Sequence, residues 1–319
     1  MAFRKPATKK LGIKVLSLGK EGTGKTVFAL SFPRIASIDG EAGQSFYENT
    51  EYGQNLVFVD NTQSYQELEE DIDYIEEEYE AQDIQTLVID SETKVFNNLE
   101  ETLMTIEEKK AKKKGVDAND SNLSIRSRGR IKYIAKRLQN LKIDLSSKGV
   151  NVVSIAQAKD VQVKQGDSWV VTGVIPDMVK GSAFDYDLVL EHYSEIDAQG
   201  NVKYKAKVVK DRTNVFKKGD IIDNPRYQLW ASVTEIRKDA EKLDTSFVKE
   251  SENDKVEYEK QLEEDEKTIV ERMATLIKDS DASVKAKIQE ALTKAKITSF
   301  AGLTTKQQEK LESIYQSFK

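Results

Sequence analysis

The chain has 319 residues, 38% of them apolar, which suffices for one sizeable core and a small second unit. It has no cysteine and one histidine, His192, so disulfides, thiolate metal sites and cysteine nucleophiles are excluded. A histidine metal cluster or a Ser-His-Asp triad also lacks its parts, and a net charge of −6 argues against a surface built wholly for nucleic acid.

Taken in chain order, the basic first ten residues lead into no apolar signal-type stretch, and no later run has the length of a membrane span. The expectation is a soluble, cytosolic protein that makes no membrane contact. An apolar run at 13–18 predicts a strand, and helical spacing over 26–31 predicts a helix. Between them lies "GKEGTGKT". Gly19, Lys20, Glu21, Gly22, Thr23, Gly24, Lys25 and Thr26 satisfy G-x-x-x-x-G-K-[ST], with Val27 opening the helix. Glycines let such a loop wrap until its N–H groups converge on a phosphate. The following helix adds the positive end of its dipole. Lys25 can reach the β- and γ-phosphates and the Thr26 hydroxyl can ligate Mg²⁺, so ATP and Mg²⁺ are the expected cofactors.

A second strand at 35–38 ends in "IDGEAGQSFY", which carries Asp39 and Glu41 to the carboxyl edge, where open α/β sheets do their chemistry. A third strand follows at 56–59, then a helix over 65–79. Between 67 and 80 there are nine carboxylates and no cation. The fourth strand, in "TLVIDS", ends at Asp90, placed as the Walker B residue that holds Mg²⁺ through a water.

Helices over 95–110 and 131–145 flank "GVDANDSNLS", whose composition is that of a turn or a segment ordering on a ligand. From 109 to 148 there are thirteen Lys or Arg against three Asp, a local field of opposite sign to the whole chain. Lys109, Lys110, Lys112, Lys113, Lys114, Arg126, Arg128 and Arg130 make a candidate DNA surface; a solvated helix face offsetting the acidic helix is the alternative.

A fifth strand at 150–156 ends in "VVSIAQAKD". Beyond it, Lys159, Lys164 and Trp169 fit a loop that tracks a phosphodiester backbone and stacks a base, or an ordinary β-hairpin with a half-buried Trp. After Pro176 the pattern becomes strand, Gly-containing turn and alternating strand, an antiparallel closure. Apolar runs alternating with helices predict an α/β core with a mostly parallel twisted sheet over 1–230. A charged linker at 231–255 and a small all-α module at 256–319 complete the expected organisation.

"GKEGTGKT", "IDGEAG", "TLVIDS", "VVSIAQAKD" and "VVKDRT" together resemble the phage AAA-type nucleotide-binding family. This is a RecA-like P-loop core, some of whose members act as single-strand-annealing recombinases. The resemblance implies that Glu41 orients the attacking water; motor-type ATPases instead carry a Glu directly behind the Walker B Asp, where Ser91 stands here, so Glu92, one residue further, is the other candidate base. It implies that Gln157 senses the γ-phosphate, although His is the residue expected there. It further implies that Lys210 and Arg212 act from a neighbouring subunit, unless they are simply a solvated strand end. DNA-facing loops are implied near 109–130 and after Gln157. The last segment is similar to helical modules that end phage DNA-recombination proteins.

The leading expectation is therefore an ATPase that binds single-stranded DNA, assembles into homo-oligomers and promotes annealing or strand pairing, its tail recruiting a partner such as a single-strand-binding protein. A nucleotide-dependent loader or switch acting on a protein partner is the second reading, with the acidic helix and the tail as working surfaces. A small-molecule kinase is the third, opposed by the lack of an arginine-rich lid.

Overall fold

β1 (Lys14–Gly19), β2 (Ile35–Asp39) and β4 (Thr86–Asp90) are buried along nearly their whole length, as is the first part of β5 (Asn151–Gln165). A strand covered on both faces reads as a continuous apolar run, which is why these segments show no alternation. The computed structural model describes residues 5–318 apart from 116, 118–121, 167, 244 and 267, with only the backbone for 261–266. The remaining strands are β3 (Leu56–Asp60), β6 (Ser168–Pro176), β7 (Leu188–Ile196), β8 (Val202–Asp211) and β9 (Ile221–Asp223).

The sheet order is β3-β2-β4-β5-β1-β7-β8-β9, with β6 paired to β5 alone. Pairing is parallel from β3 to β7 and antiparallel across β7, β8 and β9. The expected α/β class, parallel sheet and antiparallel closure are thus what the structure has.

Alternate residues of each strand feed two cores, as a strand's period of two requires. Ala36, Leu87 and Val152 pack beneath three helices: α2 (Tyr65–Glu78), α3 (Glu92–Lys113) and α4 (Ile125–Ser147). Ile35, Val88 and Val153 pack on the other face with Phe28 of α1 (Lys25–Ala29) and with Trp230, just before α5 (Ala231–Glu235). Among the described residues no helix is long and apolar enough to cross a membrane.

Two projections leave the carboxyl edge. β5 pairs with β1 only as far as Gln157, opposite Gly19; its remainder pairs antiparallel with β6 as a free ribbon. The segment carrying Lys159 and Trp169 is therefore a hairpin, but Trp169 is 66% exposed and not half-buried.

The second projection is a helical hairpin. Gln139 and Lys142 lie beside Glu92 while Ser124 and Ser127 bond Glu107, so α3 and α4 run antiparallel. Arg137 meets Glu69 in the second turn of α2, which leaves the earlier turns of α4 extending past the carboxyl edge.

The chain divides into a unit of Met1–Val248 and one of Lys249–Lys319. The stretch at 231–255 holds α5 and the start of α6 (Phe247–Glu266), whose first two N–H groups are capped by the Asp144 carboxylate at 2.9 and 3.0 Å. In the second unit α7 (Ile269–Asp279), α8 (Ala282–Lys294) and α9 (Thr305–Phe318) bury Met273, Ile288, Leu292, Leu311 and Tyr315. A full capping box of Thr268 and Glu271 starts α7.

Candidate nucleotide site

The loop between β1 and α1 turns on three glycines, each for a different reason. Gly22 and Gly24 have φ of +67° and +86°, where a side chain is strained. A Cβ on Gly19 would stand 2.5 Å from the His192 carbonyl oxygen, because β7 pairs with β1 there. Gly19, Lys20, Glu21, Gly22, Thr23, Gly24, Lys25, Thr26 and Val27 all line one cavity of about 360 Å³, together with Glu41, Asp90, Ser91 and Gln157. Every residue that the motif named for the phosphates thus faces the same space.

Electrostatics inside this cavity fit a metal and an anion. The Thr26 hydroxyl donates to the Asp90 carboxylate at 2.8 Å. Burial, reinforced by Glu41 and Asp39 and opposed by the Thr26 bond, pushes the Asp90 carboxyl up to about 6. Burial lowers Lys25 below the ordinary lysine value despite Asp90, Glu41 and Glu21 nearby, and its ammonium donates to the Lys20 carbonyl at 2.5 Å. A divalent cation beside Asp90 and an anion beside Lys25 would relieve both charged groups of that desolvation. A glycine cradle, a lysine, a hydroxyl and a buried carboxylate are the donor set that Mg²⁺ and a triphosphate need.

Glu41 is oriented by two donors. Its Oε1 accepts from Ser91 Oγ at 2.9 Å and from Gln157 Nε2 at 3.1 Å. Asp39 builds the turn beneath, accepting from the N–H of Glu41 at 3.1 Å and of Gln44 at 2.8 Å. Gln157 therefore bridges the candidate base and the root of the ribbon, while its own N–H donates to Thr93 Oγ1 at 3.0 Å.

Glu92 is not a base. It is fully buried and ion-paired to Lys142, accepts from Tyr186 at 3.0 Å and from Gln139 at 3.3 Å, and has no face open to water. It stands one residue beyond the place directly behind Asp90, where a motor-type base is expected and Ser91 lies, and α3 turns its side chain inward against α4.

Lys210 and Arg212 do not meet the loop of their own chain. β8 runs antiparallel, so its end pairs with the start of β7, at the sheet's amino edge. There Lys210 donates to the carbonyls of Phe184 and Tyr186, and Arg212 reaches Asp187 at 3.4 Å.

The basic residues are brought to the carboxyl edge. Lys109, Lys110, Lys112, Lys113 and Lys114 are exposed at the open end of the helical hairpin, beyond Glu107, and Arg126, Arg128 and Arg130 are exposed on the first turns of α4 beside it. Lys159, Lys164 and Trp169 are exposed on the ribbon. Among the described residues the ion pairs of α2 are with Arg137, on a later turn of α4, and with Lys148, which caps that helix, and not with this basic end. The turn expected between the two basic clusters falls at 116 and 118–121, outside the described residues.

A second cavity of about 450 Å³ adjoins the loop at Gly22, Thr23, Gly24 and Val27, and the motif gave no sign of it. Tyr47, Tyr52, Tyr204, Arg226 and His192 line it, and Tyr204 lies against Gly24, 3.3 Å from where its Cβ would be. Only Tyr47 is close in sequence to a recognised motif. Tyr52 comes from the short helical turn before β3, and His192, Tyr204 and Arg226 arrive through the β1-β7-β8-β9 pairing, which no local signal encodes.

No curated protein matches the chain significantly. Among solved structures, a KaiC-like protein from Pyrococcus horikoshii OT3 is 16% identical, with 67% of this chain and 85% of that one covered at a TM-score of 0.40. The profile of the AAA domain family matches residues 11–223, more than half of the chain, and the protein belongs to that family.

Proposed function

We propose that this AAA-type P-loop protein hydrolyses ATP with Mg²⁺ and uses the nucleotide to control its grip on single-stranded DNA, promoting annealing or strand pairing. The observation that carries this reading is a shared edge. The phosphate cavity, the basic end of the helical hairpin and the Trp-bearing ribbon all rise from the carboxyl side of one sheet.

In this reading Lys25 meets the β- and γ-phosphates, and Thr26 and Asp90 hold the metal. Bound Mg²⁺ supplies charge neutralisation at the phosphate oxygens. Glu41, oriented by Ser91 and Gln157, takes the proton of the attacking water. Tyr47 and Tyr204 form apolar walls against which the adenine ring packs. Lys210 and Arg212 act on the phosphates of a neighbouring subunit, which makes the working form a homo-oligomer. Lysines and arginines of the two projections meet the DNA backbone while Trp169 stacks a base. The C-terminal helices recruit a partner such as a single-strand-binding protein, and the setting is phage recombination in the host cytoplasm.

ATP turnover measured with and without single-stranded DNA, alongside DNA binding across a salt series, tests it. The expected result is stimulated turnover and an affinity that falls steeply with salt. Neither binding nor stimulation at low salt would refute the DNA reading, and turnover without DNA dependence would leave only the ATPase.

A further inference from the structure

The segment from Tyr47 to Gly53 is folded tightly on itself. A Cβ on Gly53 would collide with the Tyr47 carbonyl, and the Thr50 hydroxyl accepts from the Tyr52 N–H at 3.2 Å. The Tyr47 and Tyr52 rings meet edge to face, their centroids 5.9 Å apart. The two tyrosines are therefore held as one piece. Tyr47 lines both the phosphate cavity and the 450 Å³ cavity beside it, so it stands where a nucleotide would pass from phosphate to base.

Arg226 reaches this piece from just past β9, the last strand of the sheet. Its guanidinium lies over the Tyr52 ring, 5.7 Å from the centroid, and donates to the Val27 carbonyl of α1 at 3.2 Å. Among the described residues no carboxylate pairs with it. The fold therefore uses the plane and the fork of this side chain and not a charge pair. One face lies on an aromatic ring while an N–H meets a carbonyl, a combination that the point charge of a lysine does not reproduce. Val27 belongs to the helix that Lys25 and Thr26 open, so Arg226 ties the tyrosine turn to the element carrying the phosphate loop.

We propose that Arg226 is a positioning residue that makes the site select purine nucleotides: it clamps Tyr52, and through it the Tyr47 wall, to α1, and so holds the second cavity open to a two-ring base. This rests on the reading of that cavity as the base site. Tyr47, Tyr52 and Tyr204 reward stacked area, and a purine offers more of it than a pyrimidine. Neither Arg226 nor Tyr52 lines the phosphate cavity, so the effect falls on the affinity that the base adds and not on that of the phosphates.

The test is calorimetric titration of ADP, CDP and inorganic pyrophosphate, each with Mg²⁺, into the full chain as wild type, Arg226→Lys, Arg226→Met, Tyr52→Leu and the Arg226→Met/Tyr52→Leu double variant. Wild type is expected to bind ADP more tightly than CDP, and CDP more tightly than pyrophosphate. Both Arg226 variants should bind pyrophosphate as wild type does and lose roughly fivefold or more of the advantage of ADP over it. Tyr52→Leu should show the same loss, and the double variant no more than either single one, because the two residues act as a unit. Full ADP affinity in Arg226→Lys overturns the proposal, since the bond to Val27 then suffices without the stacked plane. Additive losses in the double variant overturn it, as does an equal loss for pyrophosphate, which would place the effect in the phosphate loop. Failure of both Arg226 variants to fold makes the residue structural and overturns it as well. Wild type binding CDP as tightly as ADP removes the purine selection and leaves the base cavity standing. Wild type binding ADP no more tightly than pyrophosphate overturns the proposal together with the base site beneath it.

Discussion

His192 gives a stability prediction that does not depend on nucleotide. Burial, with the Lys25 charge adding to it, lowers its imidazole from 6.5 to about 3, and its Nε2 is buried without a partner among the described residues. Below about pH 6.5 the unfolded chain binds a proton that the folded chain refuses until about pH 3. Stability from this group is therefore complete above pH 6.5 and drains away as the pH falls through that window. Between pH 7 and pH 5 the loss is about 2 kcal/mol.

Asp71 and Asp90, each raised to about 6, act in the opposite direction over an overlapping range, so the wild-type pH profile alone does not isolate the histidine. The difference between wild type and His192→Leu does, because the carboxylates and the substitution's own packing cost cancel. Urea unfolding of both proteins at pH 7 and pH 5 should show wild type losing about 2 kcal/mol more than the variant. His192→Gln serves if Leu does not fold. Equal losses in wild type and variant would refute the reasoning, since His192 would then titrate alike in both states.

Glu41→Gln should keep nucleotide bound while slowing turnover by roughly 10²-fold or more, read from single-turnover hydrolysis beside a binding titration. Normal turnover would remove Glu41 from the chemistry, with Glu92 already excluded by its burial. Lys142→Met leaves Glu92 buried and unpaired and should cost about 3–5 kcal/mol in a denaturant melt, whereas adding Glu92→Leu should recover much of that loss. Trp169→Ala should leave the melting temperature unchanged, because the ring is 66% exposed, and should weaken single-stranded DNA binding by about 1–3 kcal/mol.

The parts of the fold legible in the sequence are those in which a local pattern has a single physical solution. Runs buried on both faces spell out β1, β2, β4 and the buried half of β5, and the loop "GKEGTGKT" announces its ligand by needing glycines and a lysine at one seam. Past Gln157 the fifth strand becomes polar and alternating, so a hairpin and a DNA-tracking loop read equally well, and the continuity of one fifteen-residue strand from β1 to β6 was not readable. The fate of Glu92 was hidden for a different reason. Whether a carboxylate behind a Walker B Asp faces water or a lysine fifty residues away is decided by the rotation of α3 against α4, which helical periodicity does not fix. Tyr204 and Arg226 were invisible because they reach the loop only through two antiparallel pairings.

Coupling between the cavity and the two projections has a concrete physical basis in Thr93 and Gln157. Gln157 is the last residue of β5 paired with β1, and its side chain donates to Glu41. Its N–H donates to the Thr93 hydroxyl, and that hydroxyl donates in turn to the Asp177 carbonyl at 2.9 Å, just past the end of β6. Thr93 lies in the first turn of α3, whose far end carries the lysine cluster. The ribbon's two ends and the root of the basic hairpin are therefore tied at one point, and that point bonds Glu41, the carboxylate expected to orient the attacking water. Of the two donors to Glu41, Ser91 is buried and Gln157 exposed, so Gln157 is the one with room to move. Both projections meet at that residue, so the proposed DNA surface is joined to Glu41 by a short chain of hydrogen bonds, whereas Lys210 and Arg212 lie at the opposite, amino edge.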